Sequence, residues 1–566
     1  MWWVAESLVG GPVRSRARWH SRRFLRHVQD CHHAQSTALK RLLALSAGSR
    51  FHRDHGLSRN TTLSEFRRRV PVTSYDDVAP YIEALKQGDG SALCGDRNPL
   101  RMFALSSGTT GDAKFIPVTR QFVADYRRGW SIWGINTFDD HPRLHGLKIL
   151  QLTSDFDQFR TPGGTPCGNI SGLAQSMQSR VLKFKYILPQ AILSITDPVA
   201  RYYTILRLAV AVRDVGLLVT ANPSTLVHLA REMDEQSESL LRDIHNGTLS
   251  DTFPVRAHLR QALGPLISRP NPSRAKELGR HLERRGRLSP QDVWPELTVI
   301  GVWTGGSAGA YLPAVRQAYG DVAIRDHGLS ASEGRMTIPF EDHTASGVLD
   351  VCSHFFEFIP EDQIDSPSPD TLLAHELDID QNYYILLTTA SGLCRYDIHD
   401  VVRCTGHRGT TPVLEFLHKG AHFSSITGEK VTESQVVNAV RTVTEQLSLQ
   451  LSHYTFAPQW GNPPFYQLLV EEHEFANPAE AKQLATMIDQ ELQHLNCEYA
   501  DKRSTGRLDQ LRPHLLPRGT WQMVIDRKQS QLGGSIEQYK HPCLKPDLNF
   551  AASLVDTPPQ SITRAG

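Results

Sequence analysis

Residues 105–118 read Leu-Ser-Ser-Gly-Thr-Thr-Gly-Asp-Ala-Lys-Phe-Ile-Pro-Val, a stretch with the chemistry of a polyphosphate cradle. Ser106, Ser107, Thr109 and Thr110 offer hydroxyl donors, and Lys114 adds a positive charge just beyond them. Gly108 and Gly111 let the backbone bend until its N–H groups converge on an anion. A Walker A loop would carry Lys directly after the second Gly, and Asp112 stands there instead. Three later patterns also carry chemistry. Gly328-Leu329-Ser330-Ala331-Ser332-Glu333-Gly334 places a carboxylate after small residues, and Leu-Cys-Arg-Tyr-Asp-Ile-His-Asp-Val-Val from residue 393 sets Asp400 ahead of a Val-Val pair. Near the C-terminus, Gln538-Tyr539-Lys540-His541-Pro542 follows Gly533-Gly534-Ser535.

A cradle of this kind needs an element on each side. Arg101–Leu105 reads as a short apolar strand and Gln121–Trp133 suits a helix, so strand–loop–helix is expected, the helix N-terminus adding its own N–H groups. Residues 147–154, residues 216–221 and Thr298–Trp303 read as buried strands separated by helical stretches, an alternation that argues for an α/β layer. Tyr383–Cys404 is β-rich with a turn at Ser391-Gly392. Apolar positions at helical spacing over residues 20–46 (Phe24, Leu25, Val28, then Leu39, Leu42, Leu43) predict a helix or helix pair. The Arg- and Pro-rich stretch Ser268–Arg287 reads as an exposed loop and helix.

After Lys419 the character changes. Glu433–Leu447 and Ala479–Leu495 are helical, Ser452–Phe456 and Pro464–Glu471 strand-like, and Trp521–Ile525 is expected to be a strand. The expected fold class is therefore α/β. A large N-terminal domain over residues 1–418, built of α/β subdomains with a β-rich part, precedes a small mobile α+β C-terminal domain over 419–566, with Lys419-Gly420 as the hinge.

The 566 residues are too many for one core. Lys+Arg 61 against Asp+Glu 60 leaves a net charge of +1, so no global field draws the chain to nucleic acid or to an anionic membrane. The 25 histidines show no HExxH pattern, and the eight cysteines form no CxxC pair, which suits reduced thiols in a cytoplasmic protein without zinc. No apolar run matches a secretory signal or a membrane span, and the Arg-rich stretch Arg14–Arg26 reads as a basic helix packed on the body.

These motifs, in this order, resemble the adenylate-forming superfamily. More closely they resemble the Gretchen-Hagen, auxin-responsive-promoter family of acyl-acid amido synthetases, from about residue 20 to about residue 545, with Trp303-Thr304-Gly305-Gly306-Ser307 and Thr427-Gly428-Glu429-Lys430-Val431 adding to the match. The resemblance implies ATP and Mg²⁺ as cofactors. Ser106, Ser107, Gly108, Thr109, Thr110, Gly111 and Lys114 would hold the β and γ phosphates, and Ser330, Ala331 and Ser332 would flank the adenine and α-phosphate. Glu333 would help hold Mg²⁺, Asp400 would take the ribose hydroxyls, and Lys419 would sit at the hinge near the ribose. Lys540 would be the lysine that the small domain delivers to the transferring α-phosphate. Four positions depart from the family pattern: Leu329 for Tyr, His399 for the Gly before the ribose-binding Asp, Lys419 for Arg, and Cys543 for a basic residue. The implied activity is adenylation of a small carboxylic acid, then transfer of the acyl group to an amine, most simply an amino acid, by a monomer. A coenzyme A ligase or a catalytically silent scaffold is the alternative.

Overall fold

The structure, a computed structural model, describes residues 2–555 apart from 96, 108–112, 154–155, 171, 174–182, 365, 367–368, 421–422, 425, 428, 430, 462, 505, 507 and 533–540, and gives the backbone alone for 2–10, 106–107, 113, 183, 307, 310, 423, 497–498, 501, 528–532 and 555. The chain divides into two compact units. The larger holds Met1–Gly305 and Val315–Phe416, and the smaller holds Gly306–Ala314, Leu417–Gly534 and Gln538–Gly566.

The larger unit opens with helices α1 (Trp2–His27) and α2 (Cys31–Leu45). Phe24, Val28, Leu39, Leu42 and Leu43 are all buried, as their helical spacing predicts, and the Asp30 side chain caps α2 by accepting from the His33 N–H. After three further helices (Arg50–Asp54, Leu63–Arg69 and Tyr75–Lys86) come strands β1 (Leu100–Ser107) and β2 (Ala113–Thr119), paired antiparallel with Leu105 opposite Phe115 and Ser106 opposite Lys114. Helix α3 (Arg120–Asp140) starts only after β2.

The expected strand–loop–helix is not found: after residues 108–112, which lie outside the described residues, a second strand follows and not a helix. Ile116 and Val118 alternate into the core, which a strand satisfies and a helix would not. The N-terminus of α3 consequently lies at the far end of β2, and its N–H groups are already used. Arg120 donates to the Pro99 carbonyl, Gln121 to Asn98 Oδ1 and Phe122 to Thr119 Oγ1.

Four parallel strands form the layer behind: β3 (Lys148–Gln151), β4 (Val215–Val219), β5 (Val299–Val302) and β6 (Ala323–Asp326), side by side in that order. β4 and β5 are buried along their whole length, which is why they read as continuous apolar runs. The stretch expected to be an exposed loop and helix forms helix Pro272–Arg285, and one side of it is packed. Arg274 is buried there, its guanidinium donating to the Val210 and Val293 carbonyls.

A short hairpin follows, β7 (Ser330–Ala331) and β8 (Gly334–Arg335). A seven-stranded sheet then includes β9 (Asn382–Thr388) and β10 (Tyr396–Arg408), paired antiparallel. The predicted turn between them contains Gly392 at φ +88°, where a Cβ would stand 2.4 Å from the Leu93 carbonyl oxygen, so only glycine fits.

The smaller unit packs helices Glu433–Leu447 and Pro478–Leu495 with a sheet of Thr455–Gln459, Phe465–Glu471 and Arg512–Leu516. Trp521–Ile525 is not a strand. It lies in helix Thr520–Leu532, with Trp521 buried among Ala457, Leu469 and Leu516. Glu471 decides the matter, since its carboxylate accepts from the Gly519 and Trp521 N–H groups, both at 2.8 Å, and so caps the helix start.

Candidate active site

An open α/β sheet presents ligands at the carboxyl ends of its strands. Thr304 follows β5 there, and His327 and Gly328 follow β6. Asp326, the last residue of β6, is 3% exposed and ties the two strand ends together. Its Oδ2 accepts from the Thr304 N–H at 2.6 Å and the Thr304 hydroxyl at 2.7 Å, and its Oδ1 accepts from the Gly328 N–H at 2.5 Å. The Asp326 carbonyl in turn receives the indole N–H of Trp133, on α3, at 2.8 Å. Burial pushes the Asp326 carboxyl up to about 6, against the pull of those hydrogen bonds and of the Arg335 charge.

From this corner the chain runs into the β7–β8 hairpin. Ser330 pairs with Arg335 and Ala331 with Gly334, which leaves Ser332 and Glu333 at the tip. The Ser332 hydroxyl donates to the Leu105 carbonyl at 3.4 Å, so the tip lies against the end of β1 immediately before Ser106. Glu333 is buried at 7% exposure. Burial, then the charge of Glu333, raises the phenol of Tyr396, which is also influenced by Tyr75. Tyr75 accepts the Phe115 N–H at 3.0 Å and lies beneath the Lys114 ammonium, 5.3 Å from the ring centre. Glu333, Tyr396, Tyr75 and Lys114 therefore form one electrostatic neighbourhood.

Arg335 floors the hairpin. Its guanidinium stacks 4.4 Å over Trp130, donates to the His327 carbonyl at 2.5 Å, and is lowered to about 10 by burial. It crosses α3 at Gly129, where a Cβ would come within 2.7 Å of the arginine Cδ.

Asp400 stands on a bulge. Tyr384 faces Val401 and Leu386 faces Asp397, so Ile398–Asp400 bow out opposite the single residue Ile385. His399 takes φ +57°, the left-handed backbone that glycine adopts freely. Asp397 holds it there, Oδ1 accepting from the His399 N–H at 2.6 Å and Oδ2 lying 2.9 Å from His399 Nδ1. Asp400 itself is 4% exposed.

Among the residues expected to bind nucleotide, the structure brings Ser106, Lys114, Ser330, Ala331, Ser332 and Glu333 together through the register of β1 with β2 and the Ser332 contact. Gly108, Thr109, Thr110, Gly111 and Lys540 lie outside the described residues, as do the side chains of Ser106 and Ser107. Lys419 ends strand Thr411–Lys419, half-buried. Leu329 packs against the main core, and Cys543 is buried with its N–H donating to Glu433 Oε1 at 2.7 Å. Asp326, Tyr396 and Asp397 escaped the sequence reading. The one signal for Asp326 is an acidic residue closing the apolar run Val322–Ile324 two residues ahead of a glycine.

A parallel sheet with hydroxyl- and carboxylate-bearing loops at its carboxyl edge, an antiparallel sheet in the same unit and a separate α+β unit define the class. This fold matches the solved structure of AtGH3.15 acyl acid amido synthetase in complex with 2,4-DB with a TM-score of 0.82 at 20% identity, covering 94% of this chain and 95% of the other. The chain belongs to the GH3 family: the GH3 family N-terminal domain matches residues 20–324, the central domain 347–419 and the C-terminal domain 434–549. Similar proteins include jasmonoyl–L-amino acid synthetase JAR4 of Nicotiana attenuata, 26% identical with 92% of each chain covered. Another is indole-3-acetic acid-amido synthetase GH3.3 of Arabidopsis thaliana, 23% identical with 90% of this chain and 88% of the relative covered.

Proposed function

We propose that this chain is an ATP-dependent acyl-acid amido synthetase that joins a small carboxylic acid to an amino acid. The observation that carries the reading is the Ser332–Leu105 contact, which draws the Glu333 hairpin onto the strand that leads into Ser106–Gly111. Further support comes from the near full-length likeness to relatives whose names specify jasmonoyl and indole-3-acetic acid amide synthesis.

In the first step a carboxylate oxygen of the acid attacks the α-phosphorus of ATP. The bond to the bridging oxygen of pyrophosphate breaks, giving an acyl-adenylate. In the second step the amine attacks the acyl carbonyl, the bond to AMP breaks, and the nitrogen loses a proton. The exchange of leaving groups is the point of the chemistry, because AMP departs readily and an oxide does not.

Ser106, Ser107, Gly108, Thr109, Thr110, Gly111 and Lys114 hold the β and γ phosphates, and Ser330–Ser332 line the α-phosphate and adenine. Asp400 takes the ribose diol, since one carboxylate accepts two O–H bonds. Lys419 approaches the ribose, and Lys540 stabilises charge on the transferring α-phosphate. A buried carboxylate beside small hydroxyl residues suits a hard cation, so Glu333 is the residue to hold Mg²⁺, which would neutralise charge on the departing pyrophosphate. The smaller unit swings between the half-reactions.

The test is pyrophosphate release across carboxylic acids crossed with amino acids, read with product mass. An acid that gives pyrophosphate and an amide product, both lost on the order of a hundredfold in Glu333→Gln, supports the reading. A thioester with coenzyme A in place of the amide, or no pyrophosphate with any acid, overturns it. Asp400→Ala should impair ATP binding by calorimetry and leave binding of inorganic pyrophosphate nearly intact.

A further inference from the structure

We infer that Arg101, Arg120 and Arg127 form a binding site for a small multivalent phosphoryl anion, separate from the candidate active site. The three residues line a cavity of about 200 Å³ together with Val123 and Ala124. Arg120 and Arg127 stand seven residues apart on α3, hence two turns apart on one face, with the two apolar residues between them. Arg101 comes from β1. There the register slips between Leu100, opposite Thr119, and Met102, opposite Val118, so Arg101 is the extra residue of a β-bulge. Such a bulge re-aims the side chain it carries.

The charge balance points to a ligand. All three arginines are exposed, and among the described residues none pairs with a carboxylate. Their neighbour Arg128 shows the contrast: it is neutralised by Asp125 at 2.7 Å. Among the described residues the one guanidinium hydrogen bond of the three, from Arg120 Nη2 to the Arg97 carbonyl at 2.8 Å, orients the group and leaves its charge uncompensated. Three like charges around one depression repel one another, and an anion between them reverses the sign of the interaction. Val123 and Ala124 present no polar side-chain atom, so recognition rests on the guanidinium forks, which match phosphoryl oxygens in pairs. The volume suits inorganic phosphate or pyrophosphate and falls below the roughly 300 Å³ at which pockets for larger organic ligands begin.

The site is also remote from the cradle. Arg101 lies near the start of β1 and Ser106 near its end, five residues on, which is roughly 16 Å along a strand. Neither site borrows a residue from the other, so this inference stands whether or not the chain adenylates an acid.

The test is calorimetric titration of the full chain with inorganic phosphate, with chloride at equal ionic strength as the control. Arg101→Gln with Arg127→Gln should weaken the phosphate binding of this site at least tenfold, and Ser107→Ala with Thr109→Ala should remove only what the cradle binds and leave the arginine-dependent part in place. Arg127→Gln alone serves if the double variant folds poorly, and should still lose several-fold. A parallel arm uses vesicles containing phosphatidic acid: arginine-dependent sedimentation with them, without uptake of free phosphate, assigns the site to a lipid headgroup and keeps the anion chemistry. Phosphate binding that the arginine variants leave undiminished, or that disappears only with the Ser107/Thr109 variant, overturns the site.

Discussion

At the end of β6 the chain is held by a carboxylate that collects three donors from two strand ends, Thr304 and Gly328 contributing two backbone N–H groups and a hydroxyl. At the bulge of β10 the chain is held by a carboxylate that grips one residue, His399, in a backbone region few L residues enter. Both devices stand where a segment carrying a proposed nucleotide-site residue begins, Glu333 in one case and Asp400 in the other. The first spends no strain and depends on buried polar atoms being satisfied. The second accepts strain and restrains it locally. Removing the first should therefore cost far more than removing the second.

The largest expected effect is that of Asp326→Ala, which leaves the Thr304 and Gly328 donors without acceptors inside the protein. At about 1–3 kcal/mol for each unsatisfied buried group, the loss should exceed about 3 kcal/mol in urea denaturation, with a raised KM for ATP. Wild-type stability reached by this variant would mean the corner is held by the strands alone. A pH series sharpens the point. Because Asp326 is pushed up to about 6, the native state keeps a proton that the unfolded chain releases near 4. Its contribution is then fullest below about pH 4 and declines as pH rises to about 6. The lead of wild type over Asp326→Asn should narrow across that window, and a lead that widens would contradict the raised carboxyl.

Asp397→Ala comes next. It frees the His399 N–H and the imidazole, whose side chain is 51% exposed, so water replaces part of what is lost. A cost of about 1–2 kcal/mol is expected, with weaker ATP binding because the bulge presenting Asp400 loses its anchor. The smallest effect, and the one of opposite sign, is His399→Gly. Relief of the left-handed backbone should stabilise by up to about 1 kcal/mol, less the imidazole contact with Asp397. A destabilised glycine variant would show that the contact outweighs the strain.

Much of the fold was legible because its determinants are local. Glu433–Leu447 follows from apolar spacing with Thr432 and Gln435 closing a capping box, and β5 follows from an uninterrupted apolar run. What was missed has its cause far along the chain. Trp521–Ile525 reads as a strand in a window of five residues, and Glu471, 50 residues upstream of Trp521, makes it a helix. β2 escaped because Lys114 and Pro117 hide a strand whose partner lies across the cradle. Asp326 looked ordinary because the residue it holds, Thr304, is 22 positions away. The motif residues themselves were visible as a pattern, while the carboxylates that fix their backbone were not.

The smaller unit takes up Gly306–Ala314 from the middle of the chain, and there segment Gly306–Tyr311 lies against helix Glu433–Leu447. On the ribosome this segment emerges long before the helix it packs on. Roughly 130 residues separate them, which at 5–20 residues per second is on the order of ten seconds of synthesis. For that interval the nascent chain carries an interface with nothing to cover it, and the larger unit must mature around a segment that belongs elsewhere. A stop codon placed at Leu417 would leave that orphan permanently exposed.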